Sequence, residues 1–220
     1  MNRIHIAVAA ALIAGLSATP ATAQEAGSLF LGVAAGGSYS GLRGDFFSSD
    51  SKVRAYQWGF VGGATFEAFV KRNALSIRVE ALYTQKGAGG IPDGLNNVDL
   101  NLAYIDVPVM LNVNVPLSYK WSVAFYTGLS VGFNVSCDLS SSDGSSISCT
   151  DSEEDLDPKS TEIAWPFGLG IEYWPSGRKG NYLAFDLRYV YGISSAFENS
   201  AANVKNQVLE LLVRYAFKMK

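Results

Sequence analysis

Eleven charged residues stand at alternate positions within segments that are otherwise largely apolar: Glu67, Arg78, Glu80, Lys86, Asp106, Glu162, Glu172, Asp186, Arg188, Glu210 and Arg214. Brought together, such groups can relay protons, hold a cation, or lock one another as ion pairs. Seven are acids and four are bases. In a shared interior some carboxylates must therefore be hydrated, pair through an added proton, or hold a cation. Which of these holds depends on the elements that carry the charges.

Three other constellations could do chemistry. Gly128-Leu129-Ser130-Val131-Gly132 matches the G-x-S-x-G nucleophile elbow of hydrolases. That elbow needs a strand-to-helix turn and a base, yet these residues lie inside an alternating segment and the single histidine is His5, near the N-terminus. Cys137 and Cys149 are the only cysteines, and a structural zinc would need two further ligands. They are expected to form a disulfide that closes a loop of about a dozen residues and stabilises it by ~3 kcal/mol. The same stretch is acidic, with Asp138, Asp143, Asp151, Glu153, Glu154, Asp155 and Asp157. Asp151, Glu153 and Asp155 have the spacing of a calcium loop, but Leu156 stands where its turn glycine belongs, so a solvated loop is the expectation.

The elements that must position these residues are strands. In Leu75-Ser76-Ile77-Arg78-Val79-Glu80-Ala81 and in Leu183-Ala184-Phe185-Asp186-Leu187-Arg188-Tyr189, one parity is apolar and the other carries the charge. An extended chain turns alternate side chains to opposite faces, so each segment divides apolar from charged groups across one sheet. Such strands fall at 28–40, 55–69, 75–86, 99–115, 121–136, 161–174, 182–194 and 206–218. Connections alternate in length: 70–74, 116–120 and 175–181 are tight, whereas 41–54, 87–98, 137–160 and 195–205 are long. Eight strands with short turns at one end and long loops at the other are the pattern of a transmembrane β-barrel.

Two features turn the polar face inward. The apolar face is aromatic near its ends and aliphatic between, as in Trp121, Val123, Phe125, Leu129, Val131 and Phe133, which fits aromatic girdles at two membrane interfaces. The polar face mixes its charges with Gly59, Gly63, Gly128, Ser130, Gly132, Gly168 and Gly170, small enough for a crowded lumen. Inside it, unpaired charges would cost several kcal/mol each, so a connected network is expected. Across the hairpin centred on Arg72-Asn73, the simplest register sets Glu67 opposite Arg78.

The N-terminus adds an address. Arg3, the apolar run from Ile4 to Leu16 and the small residues Ala21-Thr22-Ala23 predict a signal peptide over 1–23, leaving one barrel domain over 24–220. The net charge of −3 offers nothing like the basic stripe of a nucleic-acid binder.

Leu102-Ala103-Tyr104-Ile105-Asp106-Val107-Pro108-Val109-Met110-Leu111 resembles the fourth-strand motif of the PorT-like outer-membrane β-barrel family. Arg188-Tyr189-Val190-Tyr191-Gly192-Ile193 resembles its seventh strand, and the stretch from Asn206 to Phe217 its closing strand. Asn112 replaces a common lysine, Asp106 a commoner glutamate, and the chain ends on Lys220 rather than an aromatic. The resemblance implies the fold and assigns no activity.

The expected architecture is thus all-β, an eight-stranded antiparallel up-and-down transmembrane barrel with a polar interior, short periplasmic turns and long external loops. It is expected in the outer membrane of a Gram-negative-type bacterium, as a monomer and not an enzyme, with no cofactor, no metal and no nucleic-acid partner. Its expected partners are outer-membrane lipid, lipopolysaccharide, the barrel assembly machinery and an unidentified surface partner. The lumen network of Glu67, Arg78, Glu80, Asp106, Glu172, Asp186, Arg188, Glu210 and Arg214 is read as structural, with gating as its functional alternative. Surface interaction would fall to loop residues such as Phe46-Phe47 and Ile91-Pro92. The alternatives are a small gated channel and a soluble, ligand-carrying barrel whose faces are reversed.

Overall fold

The computed structural model describes residues 27–43, 56–71, 74–93, 96–141, 145–149, 158–177, 180–197 and 204–219. They form β1 (Leu29–Arg43), β2 (Gln57–Lys71), β3 (Leu75–Asp93), β4 (Asn96–Pro116), β5 (Trp121–Ser141), β6 (Ser146–Ser148), β7 (Thr161–Tyr173), β8 (Tyr182–Gly192) and β9 (Lys205–Lys218). The sheet runs β4-β3-β2-β1-β9-β8-β7-β5, and β4 also pairs with β5. Eight antiparallel strands therefore close into a barrel, and β6 adds three residues to the outer end of β5. Closure satisfies backbone groups from strand to strand, as any sheet crossing a bilayer requires.

The faces follow the alternation. On β5, Phe125, Leu129, Val131 and Phe133 are exposed while Ala124, Tyr126 and Ser130 are buried. On β9, Leu209, Leu211, Val213, Tyr215 and Phe217 are exposed while Glu210 and Arg214 are buried. Aromatic residues gather toward both rims of the outer surface. Trp58, Tyr83, Phe133 and Trp165 lie toward the end bearing the long connections, and Trp121, Tyr215 and Phe217 toward the other. A carrier soluble in water would bury the apolar face, so the reversed-barrel alternative is excluded.

Tight turns mark the periplasmic end. After β4, the Leu117 and Ser118 amides both donate to the Trp121 carbonyl, and Ser118 Oγ accepts from the Lys120 and Trp121 amides. After β7, Gly177 takes a φ of +70°, a left-handed conformation natural to glycine, and its amide donates to the Trp174 carbonyl.

The opposite end departs from expectation in two places. Residues 87–98 are not a long loop: β3 and β4 run on as one hairpin, paired as far as Asp93 and Asn96. Likewise β5 continues to Ser141, so Cys137 lies in a strand and not in a loop. Both extensions lack clean alternation. Gly87-Ala88-Gly89-Gly90 offers no contrast of faces, and the register of β4 on β5 shifts between Ala103 and Tyr104, which breaks the parity.

The β2–β3 ladder ends at Val61–Thr84 while both strands continue outward. There β3 crosses behind β2. Ser38 Oγ donates to the Gln85 carbonyl at 2.7 Å and Ser40 Oγ to the Gly87 carbonyl at 3.2 Å, both reaching from β1 past β2. Gly59 makes the overlap possible, since a Cβ there would sit 2.8 Å from the Gln85 carbonyl oxygen.

Candidate functional site

The lumen is the site that the strands build. All eleven charged residues singled out by parity are buried within it. The register sets Glu67 opposite Arg78, as the hairpin parity predicts. Facing positions do not make the ion pair, however. Glu67 is bound by Arg214 from β9, at 3.1 Å, and is further held by Ser76, Asn112 and the Tyr182 hydroxyl. Arg78 turns instead to Glu80 at 3.1 Å and to Asp186 at 3.8 Å.

The charges divide into three linked groups. Near the periplasmic end Arg214 spans Glu67, Asp186 (3.1 Å) and Glu172 (3.9 Å), and Ser122 donates to Glu172 at 2.8 Å. In the middle, Arg188 bridges Glu80 at 2.8 Å and Glu210 at 3.3 Å. The Arg78 guanidinium lies 4.4 Å from the Tyr126 ring centroid, and that of Arg188 lies 5.5 Å from the same ring. Toward the external end, Lys86 binds Asp106 at 3.0 Å and Glu162 at 3.4 Å, 4.4 Å from the Tyr104 ring centroid. Every one of the seven acids thus meets at least one of the four bases. Sharing cations is how a lumen with more acids than bases avoids leaving a carboxylate alone in a poorly solvated interior.

Apolar layers lie beyond the charges at both ends. Across the periplasmic end Phe30 packs edge to face on Phe69, Trp174 and Tyr182, with ring centroids 5.4 to 5.7 Å apart, and Trp174 lies tilted against Tyr182 at 4.3 Å. At the external end Leu42, Leu100, Leu102, Tyr104, Phe197 and Val204 pack with both cysteines. Cys137 and Cys149 are joined with a Cα–Cα distance of 5.5 Å. The disulfide therefore lies inside the external apolar layer and pins the segment around β6 to it, rather than bracing an exposed loop as expected. Trp174 and Tyr126 escaped the sequence reading. Each keeps the lumen parity of its strand, so extending the alternation over uncharged residues would have found them.

The G-x-S-x-G stretch lies in mid-strand, with Ser130 paired to Pro108 and Ala164, so no nucleophile elbow forms. Residues 1–23, where a signal peptide is expected, Phe46-Phe47 and the acidic run from Asp151 to Asp157 lie outside the described residues, as do the side chains of Ile91 and Pro92. Among the described residues no helix is long and apolar enough to cross a membrane, which bears on helices alone. Nor do they hold a cluster of three or more His, Cys, Asp or Glu placed to bind a metal.

Comparison with known proteins places the barrel. The crystal structure of Neisserial surface protein A shares the fold with a TM-score of 0.51 and 13% identity, over 87% of this chain and 97% of that one. OprG of Pseudomonas aeruginosa aligns at a TM-score of 0.47 and 11% identity, over 89% and 97% of the two chains. Ail, the attachment invasion locus protein of Yersinia pestis, aligns at 0.42 and 15%, over 86% and 99%. No curated protein matches the chain. Residues 22–198 match the family model described as outer membrane protein beta-barrel domain. With most of its length matched and its apolar face turned outward, the chain belongs to that family and resides in the outer membrane of a Gram-negative-type bacterium.

Proposed function

We propose that this protein is a closed, non-enzymatic barrel of the PorT-like type. Its interior is structural, and its activity lies in surface interaction at the external end. The observation that carries this reading is the sequence of layers along the lumen. A fully shared ion-pair band is flanked by an aromatic layer on one side and a disulfide-pinned apolar layer on the other. An ion crossing such a barrel would have to pass two apolar layers and break buried pairs, each at a cost of several kcal/mol. Side chains also suffice to fill an eight-stranded lumen. On this reading the chain is exported through the signal peptide at 1–23, inserted by the barrel assembly machinery and held among outer-membrane lipid and lipopolysaccharide as a monomer.

Planar-bilayer conductance tests it. The purified protein should give no steady single-channel current, and Glu80→Gln or Arg188→Met should not create one. A reproducible current abolished by either substitution would overturn the closed reading in favour of a gated channel.

A further inference from the structure

The parting of β2 from β3 leaves a cavity of about 400 Å³ in the barrel wall, close to the external aromatic rim. Its walls are chiefly amides and hydroxyls. Gln57 Nε2 donates to Asn101 Oδ1, and Asn101 Nδ2 donates to Ser140 Oγ at 3.1 Å, so the Asn101 amide is ordered across the floor. Gln85 Oε1 accepts the Phe60 amide at 3.0 Å, the backbone group that the parted ladder leaves behind. Gln57 Oε1 is buried and has no hydrogen-bond partner among the described residues, although an orphaned acceptor costs about 1–3 kcal/mol.

Charge and rim narrow what could fill it. Lys86 reaches the lining, but its ammonium is committed to Asp106 and Glu162. The other charged group in the lining is Asp138, whose carboxylate accepts hydroxyls and repels phosphate or sulfate. Trp58 and Tyr83 contribute ring surface, and Trp58 is the more open, at 70% exposure. Trp58 also continues into a ring cluster, with its centroid 4.8 Å from that of Tyr39, which stacks on Tyr56 at the same distance.

We infer that this cavity is a binding site for a neutral saccharide. A pyranose offers C–H faces to aromatic rings and, around its edge, hydroxyls that both donate and accept, which neutral amides match and a lone cation does not. The aromatic rim also sets the cavity mouth at the level of the membrane interface. A hexose-rich lipopolysaccharide core and a free glycan present the same chemistry there. The inference rests on the surface-interaction part of the function proposed above and not on the closed lumen, so the conductance result neither supports nor removes it.

The test is side-chain amide NMR of the full barrel in phosphocholine nanodiscs, free of sugar detergents. It is titrated separately with delipidated lipopolysaccharide core oligosaccharide, maltotetraose and inorganic phosphate. The Gln57, Gln85 and Asn101 amides and the Trp58 indole should shift saturably with saccharide. Asn101→Leu should weaken that binding about ten-fold, through the loss of one or two hydrogen bonds. Trp58→Ala removes the rim alone and should weaken it similarly, while Ile147→Ser, outside the cavity, should not. Heat-modifiable gel mobility checks that each variant is folded. Response to the core oligosaccharide alone assigns the ligand to the lipid leaflet, and response to maltotetraose as well assigns it to free glycans. No saturable shift with either saccharide, shifts unchanged in both cavity variants, or a response to phosphate alone would overturn the inference.

Discussion

Arg214 holds three carboxylates from its place on β9, whereas Glu172 has only its longest contact, at 3.9 Å, together with a hydroxyl from Ser122. The two ends of that pair should therefore respond unequally to substitution. Arg214→Leu leaves Glu67 without a cation and Asp186 with only its 3.8 Å contact to Arg78, and should lower unfolding stability by about 3–5 kcal/mol. Glu172→Gln keeps its hydrogen bond and should cost about 1 kcal/mol or less. Urea unfolding in lipid vesicles measures both, and equal losses would contradict the pairing described here. Parity alone put both residues on the lumen face. It could not say that Arg214 rather than Arg78 would take Glu67, because that choice is made across the lumen and not between neighbours on one hairpin.

Strands β3, β4 and β5 outrun their neighbours and stand beyond the barrel at its external end, with β6 on their margin. Two devices hold this extension. The first is the disulfide, which spans a separation of 12 residues and is worth ~3 kcal/mol to the segment it closes in the chain-entropy model. The double substitution Cys137→Ala with Cys149→Ala should leave the heat-modifiable gel shift intact while proteinase K cleaves the external segment faster. The second is the tuck of β3 behind Gly59. Gly59→Val places side-chain atoms against the Gln85 backbone, so β3 should be displaced and cleavage between 85 and 93 accelerated. Intact protection in that variant would show that the overlap is not needed. The spans of the eight long strands were legible to within a few residues wherever faces contrast. They failed at Gly87-Ala88-Gly89-Gly90 and past Val135, where small side chains or a register shift erase the contrast.

As a whole the molecule is layered along its axis, with aromatic packing, a charged band and a second apolar layer in turn. Because the charges are buried rather than bathed in solvent, raising salt from about 0.1 to 1 M should leave the unfolding midpoint nearly unchanged. A midpoint that falls steeply with salt would mean that the band is open to bulk water. On the closed-barrel reading proposed above, thinning the periplasmic layer by Trp174→Ala should loosen the barrel by about 3–5 kcal/mol without producing a conductance, since the charged band and the external layer would remain. The sequence by itself determined the compartment, the strand number and the face on which each charge lies. Strand number and the division of charged from apolar faces follow from a two-residue period that acts through the local geometry of an extended chain. The aromatic ends of the apolar face and the small residues of the polar face add which side meets the membrane. Only the tertiary structure decided which acid meets which base, that apolar layers lie beyond the charges at both ends, and that β3 parts from β2 to leave a polar cavity. Those features depend on how curvature and register bring distant strands within a few ångströms of each other, and no local pattern encodes that distance.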